Sequence, residues 1–276
     1  MTTRAFVIGH PIAHSRSPLI HGTWLKQYGI DGTYEAIDVA PSDLPAFFDR
    51  LRAGEFAGGN VTIPHKEAVF ALCDGVDALA QAIGAVNTLV VRNGKVQGTN
   101  TDYLGFLGNL DAAAPGWSKD LNRALVLGAG GAARAVIVAL LSRNIPITLL
   151  NRTRSTADLL AQQLGPGRIT TGALEDLVDA AADARLIVNT TSVGMHGSRF
   201  SDISFADLRS GTLVTDIVYT PLETPLLRDA RANGLRTVDG LGMLLHQAVP
   251  GFAAWFGTTP TVTPALRLAV EATLDN

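Results

Sequence analysis

The stretch NRALVLGAGGAARAVIVALLSRNIPITLLNRT, residues 122–153, decides how this chain is read. It reads as a strand, a glycine turn, a long helix and a second strand, a compact βαβ unit. The turn carries Gly128-x-Gly130-x-x-Ala133. The first glycine permits a tight turn, the second lets backbone approach a pyrophosphate, and a small third residue lets helix and strand pack closely. A pyrophosphate would then rest on the N-terminus of the helix that starts near Gly131, where unpaired N–H groups attract anions.

The second strand selects among dinucleotides. An acid about 20 residues beyond the first glycine would hold a ribose 2′-hydroxyl. This chain instead offers LLNRTRST, with Asn151, Arg152, Thr153 and Arg154. A guanidinium fork matches phosphate geometry, so Arg152 suits the 2′-phosphate of NADP.

Outward from this unit, strands alternate with helices. Upstream, AFVIG, TYEAIDV, NVTI, NTLVV and KVQGTN read as strands, with helices at SPLIHGTWLKQYG and SDLPAFFDRLRAG. Ser17 and Ser42 are natural N-caps, and Gly29 and Gly54 natural terminators. Downstream, ARLIVNTT, TLVTDIVY and RTVDG continue the strands, and the end from residue 240 is helical. Helices between strands imply parallel pairing. TDYLGFLGNLDAAAPG forms a helix with no strand directly behind it, so the chain divides near residue 102 into two α/β domains. The connections between them are short, which implies an intimate pair with a cleft, and the final helices are expected to complete the first domain.

Composition narrows the class. Of 276 residues, 47% are apolar and 17% charged, which suits a packed globular chain. A net charge of −3 supplies no basic surface for nucleic acid. Cys73 is the single cysteine, so an intrachain disulfide is impossible and a reducing compartment is expected. No segment reaches the roughly 20 apolar residues of a membrane span, and His10 and Pro11 interrupt the apolar N-terminus. The expectation is a cytoplasmic protein.

The first half carries its own chemistry. HSRSP places Ser15 and Ser17 two apart beside Pro18, an ordinary helix start that also makes a receptor for a small carboxylate. In GGNVTIPHKE, period-two alternation puts Asn60 and Thr62 on one face, running toward Lys66. Lys66 falls in the first turn of an expected helix, where a cation is disfavoured by the partial positive charge of the N-terminus. Asn87 opens NTLVV, and Asp102 lies where the first domain hands over to the second.

SRSP, GGNVTIPHK, GAVNT, GTNTD, GAGGAARA, LLNRT, NTTSVGM, DIVYTPLETPLL and DGLGMLLHQA occur in an order that resembles the shikimate dehydrogenase family over nearly the whole chain. The resemblance implies an oxidoreductase of the shikimate pathway, leading to chorismate and the aromatic amino acids. Its reaction would be reversible NADPH-dependent reduction of 3-dehydroshikimate to shikimate. It implies a Rossmann-type NADP-binding domain at 103–242 and a substrate domain at 1–102 plus 243–276. It places Ser15 and Ser17 on the substrate carboxylate, with Asn60, Thr62, Lys66, Asn87, Asp102, Tyr219 and Gln247 around the ring hydroxyls. Lys66 would transfer the proton and Asp102 position it. Gly128, Ala129, Gly130, Gly131 and Ala132 would hold the pyrophosphate, and Asn151 to Arg154 the adenosine ribose and its phosphate. Thr190, Met195, Ile217, Gly240 and Met243 would flank the ribose and nicotinamide.

One departure stands out: the family's second clamp arginine is replaced by Thr156, so either the nearby Arg154 substitutes for it or NADP affinity and selectivity over NAD are weaker. Tyr103 also occupies a position where glycine is common in the family. No metal is expected, because His10 and His14 flank a proline loop, and Cys73 lies in an apolar run. The alternatives are a quinate or dual-specificity shikimate/quinate dehydrogenase and a non-catalytic NADP- or metabolite-sensing module. A monomer or homodimer acting on a small molecule is expected in the main reading.

Overall fold

The computed structural model describes residues 2–119, 121–200 and 203–274, which divide into two compact units: Met1–Asp102 with Leu245–Val270, and Tyr103–Leu244 with Glu271–Asn276.

The first unit contains β1 (Thr3–Gly9), α1 (Ser17–Tyr28), β2 (Gly32–Asp38), α2 (Leu44–Arg52), β3 (Gly58–Val61), α3 (Ala68–Leu72), β4 (Gly75–Val76), α4 (Ala78–Ile83), β5 (Thr88–Arg92) and β6 (Lys95–Thr99). Its sheet runs β2-β1-β3-β5-β6-β4. β1 pairs in parallel with β2 and β3, but β5 is antiparallel to both β3 and β6. The parallel expectation therefore fails here. Asn93 and Gly94, both at positive φ, turn β5 directly back into β6 with no crossover helix. The antiparallel register sets Asn60 opposite Thr88, which starts the site described below. One face of this sheet packs on α2, whose Phe47 meets Phe6 edge-on at 5.0 Å between ring centroids.

Two helix starts differ from expectation. Ser17 is the first helical residue rather than the cap; Arg16 takes the cap position, and Ser17 N–H donates to Ser15 Oγ at 3.3 Å. Ser42 lies in a short 3₁₀ turn, so α2 is capped at Asp43 without a side-chain bond.

In the second unit, α5 (Asp102–Ala113, its first residue belonging to the first unit) leads to β7 (Ala124–Leu127), α6 (Gly131–Ser142), β8 (Ile147–Leu150), α7 (Arg154–Leu164), β9 (Ile169–Gly172), α8 (Leu177–Asp183), β10 (Leu186–Asn189), β11 (Val193–His196), β12 (Leu213–Asp216), α9 (Pro225–Ala232) and β13 (Arg236–Val238). The sheet order is β13-β12-β10-β7-β8-β9, and every pair is parallel. Strand order reverses between β7 and β10, the position at which such sheets take ligands at their carboxyl ends. All four residues of β7, β8, β10 and β12 are buried, as expected of strands covered on both faces. Tyr103 has a structural reason: its hydroxyl bonds to Ser142 Oγ at 2.8 Å, tying α5 to the end of α6.

The chain ends in α10 (Leu241–Phe256) and α11 (Pro264–Glu271). From Leu245 onward α10 belongs to the first unit. Trp255 Nε1 donates to Leu89 O at 2.8 Å, and Trp24 Nε1 donates to Thr261 O at 3.2 Å. His21 is fully buried between these rings and stacks on Tyr34 at 4.0 Å. Among the described residues, no helix is long and apolar enough to cross a membrane.

Candidate active site

In the first unit, a continuous polar network is built at the ends of β3, β5 and β6. Lys66 Nζ donates to Asp102 Oδ2, and the two side chains are 16% and 8% exposed. Asp102 Oδ1 accepts from Asn87 Nδ2 at 2.8 Å. Asn87 Oδ1 in turn accepts from Thr101 N–H at 2.7 Å and from Thr88 Oγ1 at 3.0 Å. Gln247, supplied by α10, brings Oε1 to 3.4 Å from Asn87 Nδ2. Asn60 Nδ2 donates to Thr88 Oγ1 at 3.2 Å, and Asn60 Oδ1 accepts from Tyr34 at 2.6 Å. Each amide is oriented by more than one partner, so the lysine and carboxylate are held by a rigid frame rather than by their charges alone.

Lys66 does not sit in a helix turn. α3 begins at Ala68, and Lys66 lies on the preceding turn, its carbonyl committed to Val86 N–H at 2.8 Å. That bond ties the lysine's backbone to the segment leading into Asn87. Lys66 thus lies just ahead of α3, with its ammonium in a part-buried ion pair with Asp102. β3 also stops at Val61; Thr62 follows it, half-buried, with its N–H on Ile8 O at 2.9 Å. Ser15 and Ser17 stand together at the entry to α1, joined by the Ser17 N–H to Ser15 Oγ bond.

The second unit gathers the remaining residues. Gly128 follows β7 at φ +99°, and a Cβ there would meet Thr191 Cγ2 at 2.6 Å, so only glycine fits. Thr190 Oγ1 donates to Leu127 O at 2.7 Å and locks the turn across the switch point. α6 starts at Gly131 with Gly130 as cap, no side-chain cap bond and no acid in its first turn. The N–H groups at Gly131 and Ala132 are thus presented to an anion, a fit for a pyrophosphate beside Ala129. Asn151 Nδ2 donates to Thr153 O at 2.9 Å, shaping the turn after β8. Arg152 is exposed and has no ion-pair partner among the described residues. Arg154 begins α7 and lies 4.0 Å from Asp158, so the two arginines are not equivalent. Gly240 lies against Ile217, where a Cβ would fall 2.5 Å from Ile217 O. Met195 is 43% exposed, whereas Met243 is buried in the core that also includes Ile217 at its margin. Tyr219 lies half-buried in this unit, after β12.

Tyr34, Thr88 and Thr101 carry no mark in the sequence reading, yet each bonds a residue that does. The repeated Asn-Thr pairs at 87–88 and 100–101 are the signal that could have found the two threonines. Cys73 is half-buried, and burial pushes its thiol up to about 12, away from nucleophilic chemistry.

An all-parallel nucleotide-type sheet, with an α/β unit holding a framed lysine–carboxylate pair, defines a dinucleotide-dependent oxidoreductase. Residues 7–89 match the family model of the shikimate dehydrogenase substrate binding domain, and residues 113–220 that of shikimate / quinate 5-dehydrogenase. The NADP(+) shikimate dehydrogenase of Mesorhizobium japonicum is 55% identical over 99% of this chain and 97% of its own. Shikimate 5-dehydrogenase of Thermus thermophilus, solved with NADP(H) and shikimate, has a TM-score of 0.86 at 39% identity, covering 98% of each chain. Quinate dehydrogenase of Corynebacterium glutamicum, solved with NAD, has a TM-score of 0.88 at 31% identity, covering 98% of this chain and 99% of its own. The chain belongs to the shikimate dehydrogenase family.

Proposed function

We propose that this enzyme catalyses the reversible NADPH-dependent reduction of 3-dehydroshikimate to shikimate. The observation that carries the reading is the Lys66–Asp102 pair framed by Asn87, in a chain 55% identical to an NADP-dependent shikimate dehydrogenase. The higher identity to that relative favours shikimate over the quinate alternative, and the intact pair argues against a non-catalytic sensing module.

Bound NADPH supplies the hydride that adds to the C3 carbonyl carbon. The carbonyl oxygen must then gain a proton, and in the oxidative direction the hydroxyl must lose one. Lys66 carries three N–H donors, of which Asp102 takes one, so its ammonium has donors to spare for that oxygen. Asp102 is fixed by Asn87 and orients the amine while sharing the hydroxyl. Ser15 and Ser17 take the carboxylate, and Asn60, Thr62, Asn87, Gln247 and Tyr219 the ring hydroxyls. Gly128 to Ala132 hold the pyrophosphate, Asn151 to Arg154 the adenosine ribose phosphate, and Thr190, Met195, Ile217, Gly240 and Met243 the nicotinamide end. In this reading residues 1–102 and 243–276 form the substrate domain and 103–242 the NADP domain, in a cytoplasmic monomer or homodimer.

Reduced nicotinamide absorbance, followed with shikimate or quinate and with NADP or NAD, tests the assignment. Shikimate with NADP is expected to be the fastest pair. No oxidation of either acid would overturn it, and faster quinate oxidation would promote the alternative.

A further inference from the structure

The reaction described above makes no use of Asp216. Its carboxylate ends β12, stands in register with Asn189 at the end of β10, and is 1% exposed. Burying such a group is unfavourable unless its lone pairs are taken. Three donors take them: Asn189 Nδ2 and Val218 N–H reach Oδ1, each at 2.9 Å, and Thr224 Oγ1 reaches Oδ2 at 2.8 Å. Burial still raises the carboxyl to about 6, against the pull of all three.

Those donors belong to three different segments. Asn189 also donates to Val193 O at 2.7 Å and accepts from Thr191 N–H at 2.9 Å, which fixes the turn after β10. Val218 lies in the turn after β12, and Thr224 caps α9, accepting from Leu227 N–H at 3.4 Å. One carboxylate therefore gathers the carboxyl ends of two neighbouring strands and the start of a helix. The segments it gathers carry Thr190, Met195, Ile217 and Tyr219.

We propose that Asp216 is a positioning residue for the nicotinamide end of the cofactor: through Asn189, Val218 and Thr224 it sets the spacing of the turns on either side, without touching the cofactor itself. The inference rests on the cofactor reading given under Proposed function. What the site requires is acceptor geometry rather than charge. An asparagine can keep its oxygen toward Asn189 and Val218 while the Thr224 hydroxyl reverses to accept its amide. An alanine leaves three donors without an acceptor.

The test compares Asp216→Ala, Asp216→Asn, Thr224→Val and Thr224→Ser in the full chain. Each is titrated with NADP and with adenosine 2′-phosphate 5′-diphosphate, which lacks the nicotinamide and its ribose. Asp216→Ala is expected to weaken NADP about tenfold or more and Thr224→Val about threefold, as lost hydrogen bonds of this kind do. The fragment should bind all variants like wild type, and Asp216→Asn and Thr224→Ser should keep near wild-type NADP affinity. If Asp216→Ala does not fold, Thr224→Val against Thr224→Ser decides. Unchanged NADP affinity in the folded valine or alanine variant overturns the proposal. An equal loss for the fragment also overturns it, since that marks general loosening of the unit. If wild type binds neither ligand, the cofactor reading fails instead.

Discussion

Replacing Lys66 by Met removes the amine and keeps most of the aliphatic stem. General acid–base catalysis by a placed side chain contributes about 10²–10⁴ in rate, which is about 3–5 kcal/mol of barrier. Turnover should fall by that factor in both directions, while shikimate binding, carried by the serines and amides, stays near wild type. Stability should respond separately. Asp102 keeps Asn87 Nδ2 at 2.8 Å but loses its cation. Breaking a buried ion pair costs ~3–5 kcal/mol, and the 16% exposure of Lys66 places this case at the low end or below. Lys66→Arg separates the two effects. A guanidinium restores the charge opposite Asp102, so thermal stability should recover, but it does not give up a proton, so turnover should not. Steady-state kinetics, equilibrium titration with shikimate and thermal unfolding make the comparison. Turnover of Lys66→Met within tenfold of wild type, or an active Lys66→Arg, would refute the proton-transfer role.

Arg152→Ala should raise the KM for NADP by about 10–100-fold, the loss of a charge-assisted phosphate contact, and leave the KM for NAD nearly unchanged. Thr156→Arg should increase the NADP to NAD preference, measured as a ratio of kcat/KM values. Burial pushes the His21 imidazole down to about 3, so below its unfolded value near 6.5 only the unfolded chain takes up the proton. Stability should therefore fall as pH drops from about 6.5 toward 3, by up to ~1.4 kcal/mol per pH unit from this group. His21→Phe should flatten that slope in denaturant titrations. Asn87→Ala leaves the buried Thr101 N–H without its 2.7 Å acceptor and Asp102 Oδ1 without its amide donor, so a loss of ~1–3 kcal/mol is expected from thermal unfolding together with reduced turnover.

The nucleotide-type unit is legible because its signals are local. Gly128, Gly130 and the apolar runs around them lie within one short stretch, and backbone sterics decide the turn. The first unit is harder, since its hairpin reverses at Asn93 and Gly94 where alternation alone implies crossovers. Ser17 reads as a cap because serine caps are common; the neighbouring Ser15 receives its N–H instead. Lys66 reads as helical because an apolar run follows Pro64, but the bond from Val86 N–H holds its carbonyl out of the helix. The chemistry-bearing side chains are visible as types, whereas their supports are not. Asn60 meets Thr88 only through strand register, and Tyr34 reaches Asn60 from the sheet's edge strand, distances in sequence that no local pattern encodes.

The indole bond from Trp255 to Leu89 has a consequence for biosynthesis. On the ribosome, the first 102 residues emerge long before α10, which supplies Trp255, Phe252 and Gln247 to the same unit. Until then the His21 and Tyr34 rings lack part of their cover and Asn87 lacks Gln247. The lysine–carboxylate pair is encoded early, but its surroundings are finished only after α10 has been made.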